Sequence, residues 1–205
     1  MRLGILGGSF DPPHVGHLLI AQDAIAALAL DRLMVVPAAT QPLKQAHCSA
    51  AVHRLAMLER CFDGVPKTVV DPVELDRGGL SFMVATVDHY RHEWPSAAIH
   101  LLIGEDVVET LPRWREPERL LAMVQLVVLR RVDRPDDLPA SGAEREMHDR
   151  CDTTAQGVAS IRFLATRRVD VSSTEIRARV LNGRSIRGFV TDAVAEYIAT
   201  AGLYL

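Results

Sequence analysis

Residues 1–20 read MRLGILGGSFDPPHVGHLLI, and the rest of the chain is arranged around them. The apolar residues at positions 3, 5 and 6 predict a short buried strand. The glycine pair at 7–8 ends that strand, because a chain without Cβ atoms can turn sharply and present backbone N–H groups to an anion such as phosphate. The double proline at 12–13 cannot continue a strand but suits the first turn of a helix. We therefore predict a strand, a glycine turn and a helix that begins near residue 13 or 14.

Two histidines stand at the predicted start of this helix. His14 and His17 are three residues apart, so helical geometry places both imidazoles on one side, and Gly16 between them leaves room for a ligand. The amino end of a helix carries partial positive charge and unsatisfied N–H donors, which favours phosphate. The alternatives are a metal-binding pair and a surface turn with two incidental histidines.

A second candidate phosphate site lies near the end of the chain, where residues 171–177 read VSSTEIR. Ser172 and Glu175 have the spacing of a capping box, which by itself needs no function. The neighbouring hydroxyls and the guanidinium of Arg177, one turn later, would also bind a triphosphate. The two sites are about 155 residues apart in sequence, and each stands at a helix start after a strand, so both fit one nucleotide that spans the carboxyl edge of a parallel sheet.

The rest of the chain alternates predicted strands and helices. Further strands are predicted at residues 33–36, 67–71, 98–103, 124–129 and 161–164. Helices are predicted at residues 18–30, 51–62, 105–111, 117–122 and 193–201, from a capping Ser81 to about Trp94, and from near Ser173. With 205 residues and 48% hydrophobic content, we predict a single domain over residues 1–205. Its class is α/β, with a doubly wound, mainly parallel Rossmann-like sheet, helices on both faces and a small helical C-terminal part.

Composition limits the partners and the compartment. A formal net charge of -3 argues against nucleic acid, whose binders normally carry a basic excess. Three scattered cysteines indicate reduced thiols in the cytoplasm rather than a disulfide framework or a zinc site. The longest apolar run, residues 24–30, is far shorter than the roughly 20 residues of a membrane span, and Asp11 with the prolines excludes a signal peptide. The acid-rich stretch within residues 133–158 is predicted to be an exposed excursion whose role the sequence leaves open.

The segment GGSFDPPHVGH, residues 7–17, resembles the signature of the nucleotidyltransferase superfamily with the His-x-Gly-His motif, and specifically that of the bacterial nicotinate-nucleotide adenylyltransferase family. The segment VSSTEIR is similar to that family's Ile-Ser-Ser-Thr-x-Ile-Arg motif, with Val171 as a mild departure. The resemblance covers nearly the whole chain except residues 133–158. It implies that the adenylyl group of ATP is transferred to nicotinate mononucleotide, which gives nicotinate adenine dinucleotide and pyrophosphate.

The resemblance also implies roles for particular residues around ATP. His14 and His17 would contact the α- and bridging phosphates, while Lys44 and Arg177 hold the leaving pyrophosphate. Lys44 stands in a loop where the family commonly has proline-histidine-lysine, and Leu43 departs from that histidine. Mg²⁺ is expected on the ATP phosphates rather than in a cage of carboxylates. The implied ATP-binding residues are Gly7, Gly8, Ser9, Phe10, Gly104, Asp106, Ser172, Ser173 and Thr174.

Trp114 is the leading candidate for binding the second substrate. It stands between arginines and next to a proline turn, so its face is available to stack on a pyridine ring. Trp114 matches the tryptophan that packs the nicotinate ring in the family, and Thr86 falls where a threonine meets the nicotinate carboxylate. Arg115 is expected to bind the nicotinate nucleotide as well. Core packing is the alternative for Trp114 and Thr86.

Other functions stay open on sequence alone. Nicotinamide mononucleotide or phosphopantetheine could replace nicotinate mononucleotide as acceptor, although phosphopantetheine enzymes lack the Trp114 pattern, and a cytidylyltransferase is a further alternative. A dinucleotide-dependent oxidoreductase would need Gly-x-Gly-x-x-Gly, which residues 4–8 do not supply. A non-catalytic nucleotide sensor would not need the histidines. The sequence leaves open how strictly nicotinate is preferred and whether the chain forms a homo-oligomer.

Overall fold

The computed structural model describes residues 1–43, 47–132 and 161–205. Six strands form one sheet in the order β3-β2-β1-β4-β5-β6, and all neighbouring strands in it run parallel. This confirms the predicted α/β class with a parallel Rossmann-like sheet. The strands are β1 (Arg2–Gly8), β2 (Arg32–Pro37), β3 (Thr68–Val70), β4 (Ala98–Gly104), β5 (Gln125–Val132) and β6 (Ile161–Arg167).

Helices connect these strands and follow the last one. A 3₁₀ turn spans Leu111–Arg113. No helix in the described ranges is both long and apolar enough to pass through a lipid bilayer. The helices are α1 (Val15–Ala27), α2 (Ala51–Phe62), α3 (Val73–Arg77), α4 (Met83–Glu93), α5 (Glu105–Val108), α6 (Pro117–Met123), α7 (Ser173–Leu181) and α8 (Asp192–Thr200).

The sheet is covered on both faces, because successive strand side chains point in opposite directions. On β2, Leu33 and Val35 belong to one buried apolar cluster, and Met34 and Val36 belong to the other. The first cluster contains residues of α1, α2, α7 and α8, and the second contains residues of α4 and α6. The doubly wound arrangement and the helical C-terminal part are therefore as predicted.

The strand order reverses between β1 and β4. The chain passes from β1 to β2 on one side, whereas β4 pairs with the other edge of β1. In open α/β sheets, ligands bind in the crevice outside the carboxyl ends of the strands at such a switch point. In this chain those ends are Gly8 and Gly104, both named in the sequence analysis.

Several local predictions are corrected by the structure. Ser81 does not cap α4: its Oγ accepts a hydrogen bond from the Ala39 backbone N (2.9 Å), and the helix begins at Met83. The third strand is shorter than predicted, because Lys67 adopts a left-handed φ of 62°. The helix predicted over residues 105–111 ends at Val108. The predicted acidic excursion lies outside the described residues.

Candidate active site

A cavity of about 310 Å³ opens at the switch point, beside the carboxyl ends of β1 and β4. Its walls come from the carboxyl ends of β1 and β4, from the segments that follow β2 and β4, and from the segment that leads into α4. The last residues of β1 and β4, Gly8 and Gly104, both line the cavity, so backbone rather than side-chain atoms faces it there. Six of the predicted site residues line it: Gly7, Gly8, Gly104, Asp106, Trp114 and Arg115.

Trp114 forms an aromatic wall of this cavity. It directly follows the 3₁₀ turn, and its Nε1 donates a hydrogen bond to Thr110 Oγ1 (3.0 Å), which fixes the indole. The Arg115 guanidinium lies 4.8 Å above the centre of the Phe82 ring, close enough for a cation–π contact. Trp114 also packs against the apolar cluster of α4 and α6, so one part of its surface is core and another faces the cavity. A flat ring entering the cavity would meet aromatic surface flanked by a cation.

Thr86 does not reach the cavity. The residue is 0% exposed, and its Oγ1 donates a hydrogen bond to Glu74 Oε1 (2.5 Å) while accepting one from Arg77 Nη2 (3.1 Å). Its hydroxyl proton is thus already used, which corrects the expectation that Thr86 meets a nicotinate carboxylate. The side chains that line the wall at this place are Glu74 and Met83.

The two histidines lie together at the start of α1, as predicted. His14 is the N-cap residue, with extended backbone angles (φ −144°, ψ 171°), and the ring centroids of His14 and His17 are 3.8 Å apart. His17 Nδ1 accepts a hydrogen bond from the His14 backbone N (3.2 Å), so the neutral His17 ring keeps its proton on Nε2. A Cβ at Gly16 would lie 3.0 Å from the His14 ring, which explains glycine between the histidines.

The start of α1 is less open than the sequence suggested. The Val15 backbone N donates to the Phe189 backbone O (3.0 Å), so this first helical amide is not available to an anion. The expectation of free N–H donors is therefore wrong for Val15. The Val15 amide is therefore already hydrogen-bonded within the protein, next to the two imidazoles.

Ser9 and Phe10 do not line the cavity but contact residues of the site. Phe10 is 2% exposed, and its ring meets the His17 ring edge to face with centroids 5.0 Å apart. Ser9 Oγ donates to Gln41 Oε1 (2.8 Å), and Gln41 lines the cavity. Phe10 therefore orients His17 and does not offer its own face to a ligand.

The structure brings the two candidate phosphate motifs into direct contact. Ser173 Oγ donates to the Pro12 backbone O (2.8 Å), and Arg177 Nη1 donates to the Asp11 backbone O (2.7 Å). Ser172 Oγ accepts from the Glu175 backbone N (3.1 Å), so the predicted cap of α7 is confirmed. The prediction that both motifs meet at one sheet edge is confirmed as well.

Arg177 has two partners within the protein. Its Nη2 lies 3.2 Å from Thr174 Oγ1 and donates to it, while Nη1 is bound to the loop after β1. The exposed Thr174 hydroxyl and the guanidinium thus stand side by side at the start of α7. Lys44, the other predicted phosphate ligand, lies outside the described residues, and its neighbour Leu43 lines the cavity.

Asp11 is a component of the site that was not among the predicted site residues. It is 4% exposed, and its Oδ2 accepts from the backbone N of Cys48 (2.6 Å) and of Ser49 (3.2 Å). Oδ1 accepts from the Tyr204 hydroxyl (2.7 Å). Burial acts to raise the pKa of Asp11, but the hydrogen bonds from Tyr204, Ser49 and Cys48 outweigh it and lower the pKa below its ordinary value.

Arg54 is a second component that was missed. It is 1% exposed, and it donates to the Ser9 backbone O through Nη1 (2.9 Å) and to the Ala39 backbone O through Nη2 (3.4 Å). Burial lowers the pKa of this guanidinium, and the nearby Asp11 carboxylate acts in the opposite direction. The signal in the sequence is an arginine on the otherwise apolar face of α2, three and four residues before Met57 and Leu58.

The described ranges contain no group of three or more His, Cys, Asp and Glu side chains placed to hold a metal ion. The site is thus a set of imidazoles, hydroxyls, guanidinium groups and backbone amides around an apolar cavity. Such a set suits the binding of phosphates and a ring, and it offers charge stabilisation rather than an activated protein nucleophile.

A parallel sheet with phosphate motifs at its switch point defines a nucleotide-binding α/β protein. In agreement, the model of the cytidylyltransferase-like family matches residues 5–179. Among solved structures, the chain is similar to the Plasmodium falciparum nicotinic acid mononucleotide adenylyltransferase complexed with NaAD, with a TM-score of 0.73, 16% identity, and coverage of 99% of this chain and 97% of that one. At this identity the likeness shows the fold.

Sequence comparison is more specific. A protein from Gemmatimonas aurantiaca, named a probable nicotinate-nucleotide adenylyltransferase, is 59% identical over 204 residues, which cover 100% of this chain and 92% of that protein. A Roseiflexus protein with the same name is 39% identical, with 98% of this chain and 97% of that protein covered. The chain belongs to the nicotinate-nucleotide adenylyltransferase family of cytidylyltransferase-like proteins.

Proposed function

We propose that this protein transfers the adenylyl group of ATP to nicotinate mononucleotide, forming nicotinate adenine dinucleotide and releasing pyrophosphate. The observation that carries the proposal is the contact between the two phosphate motifs beside a cavity walled by Trp114. One nucleotide can then place its phosphates on the motifs while the ring of a second substrate enters the cavity. The names of the relatives support the same reaction.

The reaction is an in-line displacement at the α-phosphorus of ATP. A phosphate oxygen of the mononucleotide forms the new O–P bond, the bond from the α-phosphorus to the α,β-bridging oxygen breaks, and pyrophosphate leaves with that electron pair. An ionised phosphate needs no general base, so the protein positions the reactants and stabilises the developing charge. The His17 Nε2 proton is the donor best fixed for this, because Nδ1 is held by the His14 amide.

The remaining predicted residues bind the ends of ATP. Gly104, the last residue of β4, and Asp106, in α5, contact the ribose. The α7 start, with Ser172, Ser173 and Thr174, binds the phosphates that will leave, together with Lys44 and Arg177. Mg²⁺ enters as part of the substrate, carried by the ATP phosphates.

The acceptor lies in the cavity. Its pyridine ring stacks on Trp114, and Arg115, held over Phe82, complements the negative charge of the nicotinate carboxylate. This proposal replaces the earlier role of Thr86, whose hydroxyl is bonded to Glu74.

We place this activity in one domain, residues 1–205, which acts in the cytoplasm on small molecules without nucleic acid or membrane. The alternative with a different chemistry is a nucleotide sensor that binds ATP without turnover.

An isotope experiment tests the reaction class. With ATP labelled at the α-phosphorus and nicotinate mononucleotide present, we expect the label in the dinucleotide and one unlabelled pyrophosphate per dinucleotide formed. A label that appears in free AMP would indicate hydrolysis instead. ATP that binds but is never consumed would establish the sensor.

A further inference from the structure

The penultimate residue of the chain reaches back to the loop that carries the histidines. Tyr204 has a left-handed φ of 66°, and its hydroxyl donates to Asp11 Oδ1 (2.7 Å) across 193 positions of sequence. A non-glycine residue is rarely found at such a φ, so its surroundings hold it in this conformation. The side chain is thereby directed into the molecule, onto a buried carboxylate.

The Asp11 carboxylate is enclosed by donors and charges from several segments. The amides of Cys48 and Ser49 bind Oδ2, and Tyr204 binds Oδ1. The Arg54 guanidinium of α2 interacts electrostatically with the carboxylate. The Arg177 guanidinium of α7 binds the Asp11 backbone O. Asp11 is therefore the point at which α2, α7, the segment of Cys48 and Ser49, and Tyr204 meet.

The loop of residues 9–14 connects this point to the histidines. Its carbonyls at Ser9, Asp11 and Pro12 accept from Arg54, Arg177 and Ser173 respectively. It ends at His14, whose amide orients the His17 ring. Because the two prolines and the carbonyl hydrogen bonds restrict this loop, a displacement of Asp11 that moves its backbone would be transmitted over three residues to His14.

We propose that Tyr204 is a positioning residue, which fixes the Asp11 side chain and through it the two imidazoles. The inference rests on the proposed function for its kinetic consequence, but the orientation of the histidines can be observed without turnover. The C-terminal end of the chain is on this account a part of the active-site scaffold.

The comparison of Tyr204→Phe with Tyr197→Phe tests the proposal. Tyr197, in α8, also has a hydrogen-bonded hydroxyl, but its partner is His53 Nδ1 (2.9 Å) rather than Asp11. Each variant loses one hydroxyl from the C-terminal part, so general destabilisation should be similar. Thermal unfolding of both variants measures that common effect.

We expect Tyr204→Phe to lower kcat at least about tenfold, with KM for nicotinate mononucleotide changed less than about twofold, since misplacement of reacting groups acts on the chemical step. Loss of the tyrosine hydrogen bond also lets burial raise the pKa of Asp11. The acid limb of the kcat profile should therefore move to higher pH in Tyr204→Phe only. Tyr197→Phe should retain the wild-type kcat and pH profile.

Imidazole NMR signals of ligand-free protein give the readout that is independent of activity. The signals of His14 and His17 should shift in Tyr204→Phe and stay in place in Tyr197→Phe. Unshifted signals in Tyr204→Phe would overturn the proposal whether or not the enzyme turns over. If the wild-type protein did not transfer adenylyl groups, but the His14 and His17 signals still shifted in Tyr204→Phe, the proposed function would be overturned and the positioning role would remain.

Discussion

His17 is oriented before any ligand binds. The His14 amide holds Nδ1, and the Phe10 ring packs edge to face against the imidazole. The Nε2 proton is consequently presented in a fixed direction, and a preorganised donor costs no reorganisation when charge develops in the transition state. We therefore expect His17 to affect kcat more than substrate binding.

We predict that His17→Ala lowers kcat at least about a hundredfold, the scale for the loss of one transition-state donor. Steady-state kinetics with both substrates saturating measures this effect. His89→Ala is the control, because His89 is an exposed residue of α4 that pairs with Glu93 (3.6 Å). A decrease of less than tenfold for His17→Ala would contradict the assigned role.

We expect Trp114 to affect the binding of nicotinate mononucleotide but not the binding of ATP. Because its indole lines the cavity, Trp114→Ala should raise KM for nicotinate mononucleotide by roughly tenfold, the upper range for one aromatic stacking contact. The affinity for ATP should change little, and Trp114→Phe should recover most of the loss. A collapse of ATP binding together with a large fall in thermal stability would show that Trp114 serves only the core.

At the scale of elements, the strands were the most predictable part of the molecule. The apolar runs of β1, β2, β4 and β5 were visible because their residues face packed clusters on both sides of the sheet. Ser81 and Thr86 were misjudged for one physical reason: their hydroxyls bind Ala39 and Glu74, which only the tertiary fold brings close. Local spacing carries no information about such partners.

His100 gives β4 a stability that depends on pH. Burial lowers the pKa of His100, Arg162 and Arg2 lower it further, and Gln125 acts weakly in the opposite direction. As the pH falls, the same histidine in the unfolded chain, with an ordinary pKa of about 6.5, therefore takes up its proton at a higher pH than His100 does in the folded protein. The contribution of His100 is fully present above about pH 6.5 and is lost as the pH falls from there through the folded pKa.

Chemical unfolding between pH 5 and pH 7 should therefore show a free energy of unfolding that rises with pH. His100→Gln should reduce this slope, whereas His89→Gln should keep it, since only His100 is buried within the sheet. An unchanged slope in His100→Gln would mean that other groups cause the pH dependence.

For the whole molecule, topology explains why two distant motifs form one site. Both follow strands of a parallel sheet, so their loops emerge at the same edge, and this much was predictable from the sequence. The contacts of Asp11 with Tyr204 and of Arg177 with the Asp11 carbonyl were not, because they join residues 193 and 166 positions apart. These long-range contacts complete the site, because they determine which side chains are already hydrogen-bonded within the protein.

The choice of acceptor substrate is a property of the whole site. Pyrophosphate release from MgATP should be measured with nicotinate mononucleotide, nicotinamide mononucleotide and phosphopantetheine as separate acceptors. We expect the highest kcat/KM with nicotinate mononucleotide, and Arg115→Ala should reduce its advantage over nicotinamide mononucleotide. Equal or faster release with phosphopantetheine, or no acceptor-dependent release at all, would contradict the assignment.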